Sequence, residues 1–354
     1  MEYPQAAKPG PTVGSMLPAV RAGCAVAAVT ALAALAGCSA PPPPPPRQVA
    51  EVPPPPPPPP SPESVGANEL GDVPVLMYHR ITTTPTSAYD RTPEDFRAEL
   101  ERLAAEGYVP VTATEYATGR LDLPAGAHPV VLTFDDGSAT QFTVDGSGGP
   151  APGTAVRILL DVAAQHPGFR PTATFYVFNP PFEEPSGRRS LGWLHEHGFE
   201  IGNHTLDHPN LGRLSGDEVQ QQIAGMQRII TDAVPGAEVR SIALPLGARP
   251  DDERLAAAGS ADGTTYRHDS VLLVGSNPAP SPWSADFDPA NVPRIRSQAA
   301  TGADARFGST AWLDRLAADP ARRYTSDGDP NRISAPADNA AQPAAAVAER
   351  VYRF

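Results

Sequence analysis

From position 72 to about 295 the chain repeats one rhythm: a short apolar run, a polar break, an amphipathic stretch, then another short apolar run. Few folds accept that pattern. Residues 73–78, 108–111, 129–134, 172–177, 199–202, 239–244 and 271–274 have the length and apolar content of buried strands. Helical stretches separate them. Thr92 reads as an N-cap with Pro93 in the first turn, and Phe96, Leu100 and Leu103 share one face before Gly107 ends the helix. Thr112 with Glu115 and Ser215 with Glu218 form capping boxes, the second opening a helix through about Thr231. Residues 155–165, 191–197 and 251–258 are also read as helices. Strand–helix alternation of this kind gives a parallel sheet covered by helices, an α/β architecture. The number of units favours a (β/α) barrel over an open sheet, and a barrel places functional groups at the C-terminal ends of its strands.

Two segments interrupt the rhythm. Residues 138–154 form a Gly-rich insertion after the third strand, and residues 277–293 are rich in proline. Both are expected at the rim of a site. The folded domain is expected over 72–334, followed by an Ala/Pro-rich tail over 335–354, read as loose.

Three motifs fall at strand ends. The first is Thr133-Phe134-Asp135-Asp136-Gly137. Adjacent carboxylates repel unless their roles are divided, one binding a cation and the other serving as a base; taken alone, Asp-Asp-Gly is also a common turn. The second is His204-Thr205-Leu206-Asp207-His208, whose histidines are spaced by one helical turn and can face one point. Asp136, His204 and His208 together make a two-His, one-carboxylate set, which suits Zn²⁺ or another divalent transition ion (Co²⁺, Ni²⁺, Mn²⁺ or Fe²⁺) and leaves positions open for water and substrate. The third motif, Ala243-Leu244-Pro245-Leu246-Gly247, is weak by itself.

The ordered set Thr-Phe-Asp-Asp-Gly, Asn-His-Thr-x-x-His and Leu-Pro-x-Gly resembles the polysaccharide deacetylases, the fourth carbohydrate esterase family with its NodB-type domain, over roughly residues 73–295. The resemblance implies a distorted (β/α) barrel. It also implies metal-dependent removal of N-acetyl groups from a GlcNAc-containing polysaccharide or from peptidoglycan. Carried over by position, it assigns Asp135 as catalytic base, Asp136, His204 and His208 as metal ligands, and Leu246, preceded by Pro245, as the backbone donor to the oxyanion.

The chain departs from the family pattern in three places. The late Leu-x-His that supplies the general acid is replaced by Asn291-Val292-Pro293-Arg294-Ile295, but the first strand reads Leu76-Met77-Tyr78-His79. This resembles the circularly permuted poly-N-acetylglucosamine deacetylase subgroup and makes His79 the expected acid. The family's base-orienting arginine is missing at Ala243; Arg294 is expected to supply that charge from a later strand end. The usual aromatic at Leu246 is absent as well. Trp283, in the proline-rich segment, is a candidate for stacking on a sugar or for anchoring its loop. An O-acetyl esterase and a glycan-binding protein without turnover are the alternatives.

Ahead of the domain, Arg21 and the apolar residues 25–35 lead into Leu35-Ala36-Gly37-Cys38, which resembles a bacterial lipobox. That implies cleavage before Cys38, acylation of its thiol and attachment to the outer face of a cell membrane. The membrane is expected as a partner through this lipid only. Cys24 would be lost with the signal, leaving a domain without disulfides. The proline runs 41–46 and 53–60 favour polyproline II, so residues 39–71 are read as a spacer, on the order of 70 Å when extended at about 3.1 Å per residue. A formal net charge of −13 argues against nucleic acid as a partner.

Overall fold

The structure, a computed structural model, describes residues 60–354. The expected signal segment, Cys38 and the spacer as far as Pro59 lie outside the described residues. The main strands are β1 (Val75–Tyr78), β2 (Tyr108–Val111), β3 (His128–Phe134), β4 (Thr174–Val177), β5 (Glu200–Asn203) and β6 (Ser241–Ala243). A hairpin follows, β7 (Ala258–Ala261) and β8 (Thr264–Arg267), and then β9 (Ser270–Leu272) and β10 (Ile295–Arg296). The central sheet runs β10-β1-β3-β4-β5-β6-β9, with β2 against the first half of β3, and every ladder in it is parallel.

A short seam closes this sheet. Val292 bridges Leu272 of β9, and Ile295 pairs with Leu76 of β1. The segment 292–296 therefore lies between the two sheet edges, and the result is a distorted (β/α) barrel, as the alternation implied.

Side chains alternate across the strands with period two. Leu76, Tyr78, Leu132, Phe134, Phe175 and Val177 pack outward with Phe96, Leu100, Ile158 and Leu159 of the covering helices. Val75, Val131, Tyr176, Ala243, Leu272 and Val292 form a second cluster inside the barrel. Met77 and His79 continue the inner phase of Val75; Thr133 and Asp135 continue that of Val131; Arg294 and Arg296 continue that of Val292. Strand register alone thus sends the polar strand-end residues inward.

Helix starts follow the capping residues: Thr92 accepts from the Asp95 N–H, and both capping boxes form. Other expectations need correction. The helix read over 251–258 shrinks to the single turn Arg254–Ala257. The chain then enters the β7–β8 hairpin, whose turn residues Asp262 and Gly263 have φ of 49° and 76°; Asp-Gly is the dipeptide that favours such a turn, and it overrides the helical pattern here. The folded unit also starts earlier than position 72. Ser61 caps the short helix Pro62–Val65, and Asn68, Glu69 and Leu70 are buried. Nor is the C-terminus loose. β11 (Ile333–Ala335) pairs in parallel with β12 (Val351–Arg353), and the Ala337 N–H donates to the Phe354 carbonyl at 2.7 Å. The Ala/Pro composition masked Val351-Tyr352-Arg353, which needed only a partner strand.

Candidate metal centre and catalytic groove

At the C-terminal mouth of the barrel the chain leaves β3 through Asp135, Asp136 and Gly137. Asp136 and Gly137 both adopt left-handed backbone, with φ of 76° and 62°. A Cβ on Gly137 would lie 3.0 Å from Val177, so the tight turn needs glycine there. The turn divides the two carboxylates: Asp135 is buried, and Asp136 is partly exposed.

Asp136 faces the two histidines that follow β5. Its Oδ1 lies 3.4 Å from His204 Nε2 and 3.5 Å from His208 Nε2. The ligand atoms of all three residues lie within 4.8 Å of one another, the one such group among the described residues. His204 Nδ1 lies 2.8 Å from the Ala243 carbonyl, so Nδ1 carries the proton and Nε2 presents its lone pair to the cluster. Burial, the largest influence, would raise the Asp136 carboxyl; the imidazoles beside it, His204 first and His79 after it, outweigh burial and hold the group below its ordinary range. Burial lowers His208, and His204 lowers it further. Two neutral imidazoles and one carboxylate are the donor set a divalent transition ion takes. The structure corrects the expected geometry, however. Residues 204–208 form a loop, not a helical turn, and Thr205 (φ 68°) and His208 (φ 55°) are left-handed. Asn203 secures the loop: its Oδ1 accepts from the Thr205 N–H at 2.8 Å, and its Nδ2 donates to the Ile223 carbonyl at 3.0 Å.

Asp135 meets Arg294 in a forked ion pair. Nη1 donates to Oδ1 at 2.6 Å and Nη2 to Oδ2 at 2.7 Å, with side-chain exposures of 0% and 3%. Arg294 also donates to the Leu273 carbonyl and to Thr133 Oγ1. Burial pushes the Asp135 carboxyl up, but the guanidinium, with His204 and His79, more than reverses this and keeps it far below the usual carboxylate range. The charge missing at Ala243 thus arrives from the barrel seam.

His79, Asp135, Asp136, His204, His208 and Leu246 line one cavity of about 390 Å³. His79 is half-buried; burial lowers its pKa, while the two aspartates act to raise it. Its buried Nδ1 has no hydrogen-bond partner among the described residues. Leu246 is exposed and left-handed (φ 60°) in a turn begun by buried Pro245. Trp283 is not brought here. It packs among Leu70, Ile333 and Ala341 against the C-terminal segment, which leaves its loop-anchoring role.

Two contributors escaped sequence reasoning. Gln141, at the root of the Gly-rich insertion and fully buried, donates from Nε2 to the His79 carbonyl at 3.0 Å and to the Asp135 carbonyl at 2.5 Å. Asp90 gathers the loop after β1, accepting from Arg80 Nε and Nη2 and from the Thr86 and Ser87 N–H groups. The Arg80 hydrogen bond is the main reason its carboxyl is lowered to about 2. That loop sets Ser87 and Tyr89 on the cavity wall.

A sequence model of the polysaccharide deacetylase family matches residues 122–264. That span includes Asp135, Asp136, His204, His208 and Leu246 and excludes His79 and Arg294. The chain is 34% identical over 127 residues to a chitooligosaccharide deacetylase of Sinorhizobium fredii, covering 36% of this chain and 51% of that protein. It is 27% identical over 143 residues to a peptidoglycan-N-acetylglucosamine deacetylase of Bacillus cereus, covering 40% and 45%. The chain spans about half the length of these curated relatives. Among solved structures, it is similar to the Streptococcus pyogenes deacetylase PplD in complex with acetate (TM-score 0.48, 20% identity, 64% of this chain and 92% of that one). It is also similar to IcaB from Ammonifex degensii (TM-score 0.45, 19% identity, 70% and 96%).

Proposed function

We propose that this chain is a metal-dependent polysaccharide deacetylase that removes N-acetyl groups from a GlcNAc-containing polysaccharide or peptidoglycan, held outside the cell membrane by a lipid on Cys38. One observation carries the enzymatic reading: a charge-paired buried carboxylate, Asp135, stands in the same cavity as the Asp136–His204–His208 triad and His79. A glycan-binding surface has no need of that combination.

Asp136, His204 and His208 would hold a divalent cation, which would supply Lewis acidity toward the acetamide carbonyl and acidify a water. Asp135, kept ionised by Arg294, accepts the proton as water attacks. Leu246, on its turn at the cavity wall, is the backbone donor assigned to the oxyanion. Collapse of the tetrahedral species expels an amine, which must leave protonated because an amide anion is a very poor leaving group; His79 is the acid that delivers that proton. The names of the relatives support an N-acetylated glycan as substrate. A second reading, hydrolysis of O-acetyl esters, is favoured by one feature. Among the described residues His79 Nδ1 has no hydrogen-bond partner to stabilise an imidazolium, and an ester needs less help from an acid.

The test is acetate release from N-acetylglucosamine oligomers, with Zn²⁺, Co²⁺ or Mn²⁺ restored after chelation, beside Asp135→Asn and His79→Ala. Metal-dependent release abolished in both variants supports the N-deacetylase. Release from acetyl esters that survives His79→Ala supports the esterase. Tight glycan binding with no release from any acetylated glycan would sink both. The anchor is tested separately: labelled fatty acid should be incorporated by the full chain and not by Cys38→Ser.

A further inference from the structure

A second cavity, of about 160 Å³, opens beside the first. Met77, Arg296, Gln298, Asp304 and Phe307 are among the residues that line it, and Tyr89 and Val274 line both cavities. The two are therefore neighbouring compartments of one groove. The fold explains why. Met77 pairs with Arg296 across the β1–β10 ladder, and each lies two residues from a site group, His79 and Arg294. Residues two apart on a strand share a face, so the strands that carry His79 and Arg294 also contribute Met77 and Arg296 to the lining of the second compartment.

Its surface chemistry is specific. Among the described residues, five large hydrophobic side chains are exposed: Tyr89, Leu246, Val274, Phe307 and Tyr352. Four of these line the two compartments, the clustering that marks a ligand groove rather than scattered surface exposure. Polar groups are interleaved with them. Arg296 donates through Nε and Nη2 to Gln298 Oε1 and lies over the Tyr89 ring at 5.2 Å, while Asp304 contributes a carboxylate. A pyranose ring matches such a lining: its C–H face is apolar and suits an aromatic wall, and its equatorial hydroxyls suit planar, multidentate side chains.

We infer that this compartment is a glycan subsite, holding the sugar ring next to the one that presents its acetamide in the same chain. The identity of the neighbouring ring rests on the deacetylase reading; the subsite itself rests on the shared walls. Turnover on a glycan then depends on Phe307 and Asp304, which touch none of the reacting groups.

The experiment compares the parent protein with Phe307→Ala and Asp304→Asn, the latter chosen because asparagine tolerates the left-handed backbone at Asp304 (φ 59°). Two substrates are used: an N-acetylglucosamine tetramer, and 4-nitrophenyl acetate, which is too small to fill both compartments. The expected result is a tenfold or greater fall in kcat/KM on the tetramer, on the order of one well-packed contact, with kcat/KM on the ester unchanged. Equal losses on both substrates, or no loss on the tetramer, would overturn the subsite. If the parent releases no acetate from the tetramer, the deacetylase reading falls, and calorimetric binding of the tetramer decides the subsite. Weaker binding by the variants keeps it; unchanged binding, or none, removes it.

Discussion

Arg294 is the residue whose removal tests the site most sharply. Its side chain and that of Asp135 are withdrawn from water, and their fork provides both hydrogen bonds that Arg294 gives the carboxylate. Arg294→Ala strands a buried negative charge, for which the cost is about 3–5 kcal/mol of stability. The carboxylate can avoid part of that cost by taking up a proton, since burial, the largest influence on it, then acts with less opposition. A protonated Asp135 is no base, and general-base catalysis is worth roughly 10²–10⁴-fold. Turnover of Arg294→Ala should therefore fall by about two orders of magnitude or more, with the acid limb of kcat/KM moved to higher pH. Arg294→Lys keeps the charge without the fork and should fall between. The control is Arg294→Ala combined with Asp135→Asn. With neither charge left unpaired, its stability loss should be smaller than the sum of the single losses by about 1–3 kcal/mol, while activity stays lost. Denaturant titration and a pH–rate profile read these outcomes. Additive stability losses, or Arg294→Ala turning over within about threefold of the parent, would refute the assignment.

Gln141→Leu should lower kcat more than it raises KM, because its amide joins the backbones at His79 and Asp135, the proposed acid and base, and touches neither side chain; the loss of two hydrogen bonds to buried carbonyls should cost about 2–4 kcal/mol in denaturant titration. A fall confined to KM would contradict the positioning role. Glu69 is pushed up to about 7, chiefly by burial, against its ordinary 4.5. Its folded pKa is raised, so its contribution to stability is complete below about 4.5 and is lost as pH rises through about 7. The 2.5-unit difference is on the order of 3 kcal/mol. Glu69→Gln should lose less stability than the parent between pH 5 and pH 8 in thermal melts, and parallel melting curves would refute this. His128 and His268, lowered to about 4 mainly by burial, act on the other side: each withdraws stability as pH falls from about 6.5 towards 4.

The parts of this site that were legible in the sequence are those written locally. Asp135 and Asp136 end a seven-residue apolar strand, and the histidine pair follows the next strand but one, so the barrel rule placed them at one mouth without any contact being known. Arg294 could be singled out because Ala243 stands where the resembling family has an arginine, but its fork on Asp135 is visible only in the fold. What was hidden depends on tertiary contact. The spacing of His204 and His208 fits a helical turn equally well; the hydrogen bonds of Asn203 to Ile223 and Thr205 hold instead a loop in which Thr205 and His208 are left-handed. Gln141 carries no local sign of its role within the Gly-rich insertion, because its partners, His79 and Asp135, come from two different strand ends. Trp283 gave no local sign that the last 20 residues would fold back over it, since β12 is a strand only because β11 offers an edge.

The entry of the chain into the domain has a mechanical consequence. Before β1 begins, Asn68 is bridged to Thr325, Asp72 to Arg323 and Val73 to Ala279, and the Glu69 carboxylate accepts from the Ser334 N–H. A pull arriving at Pro60 is therefore resisted first by this clasp of C-terminal backbone and only afterwards by the barrel strands. Asp135, Asp136 and the two histidines all lie downstream of it. Tension entering from the N-terminal side would meet that clasp before it reached the strands that carry these four residues, and their geometry would hold until the clasp gave way.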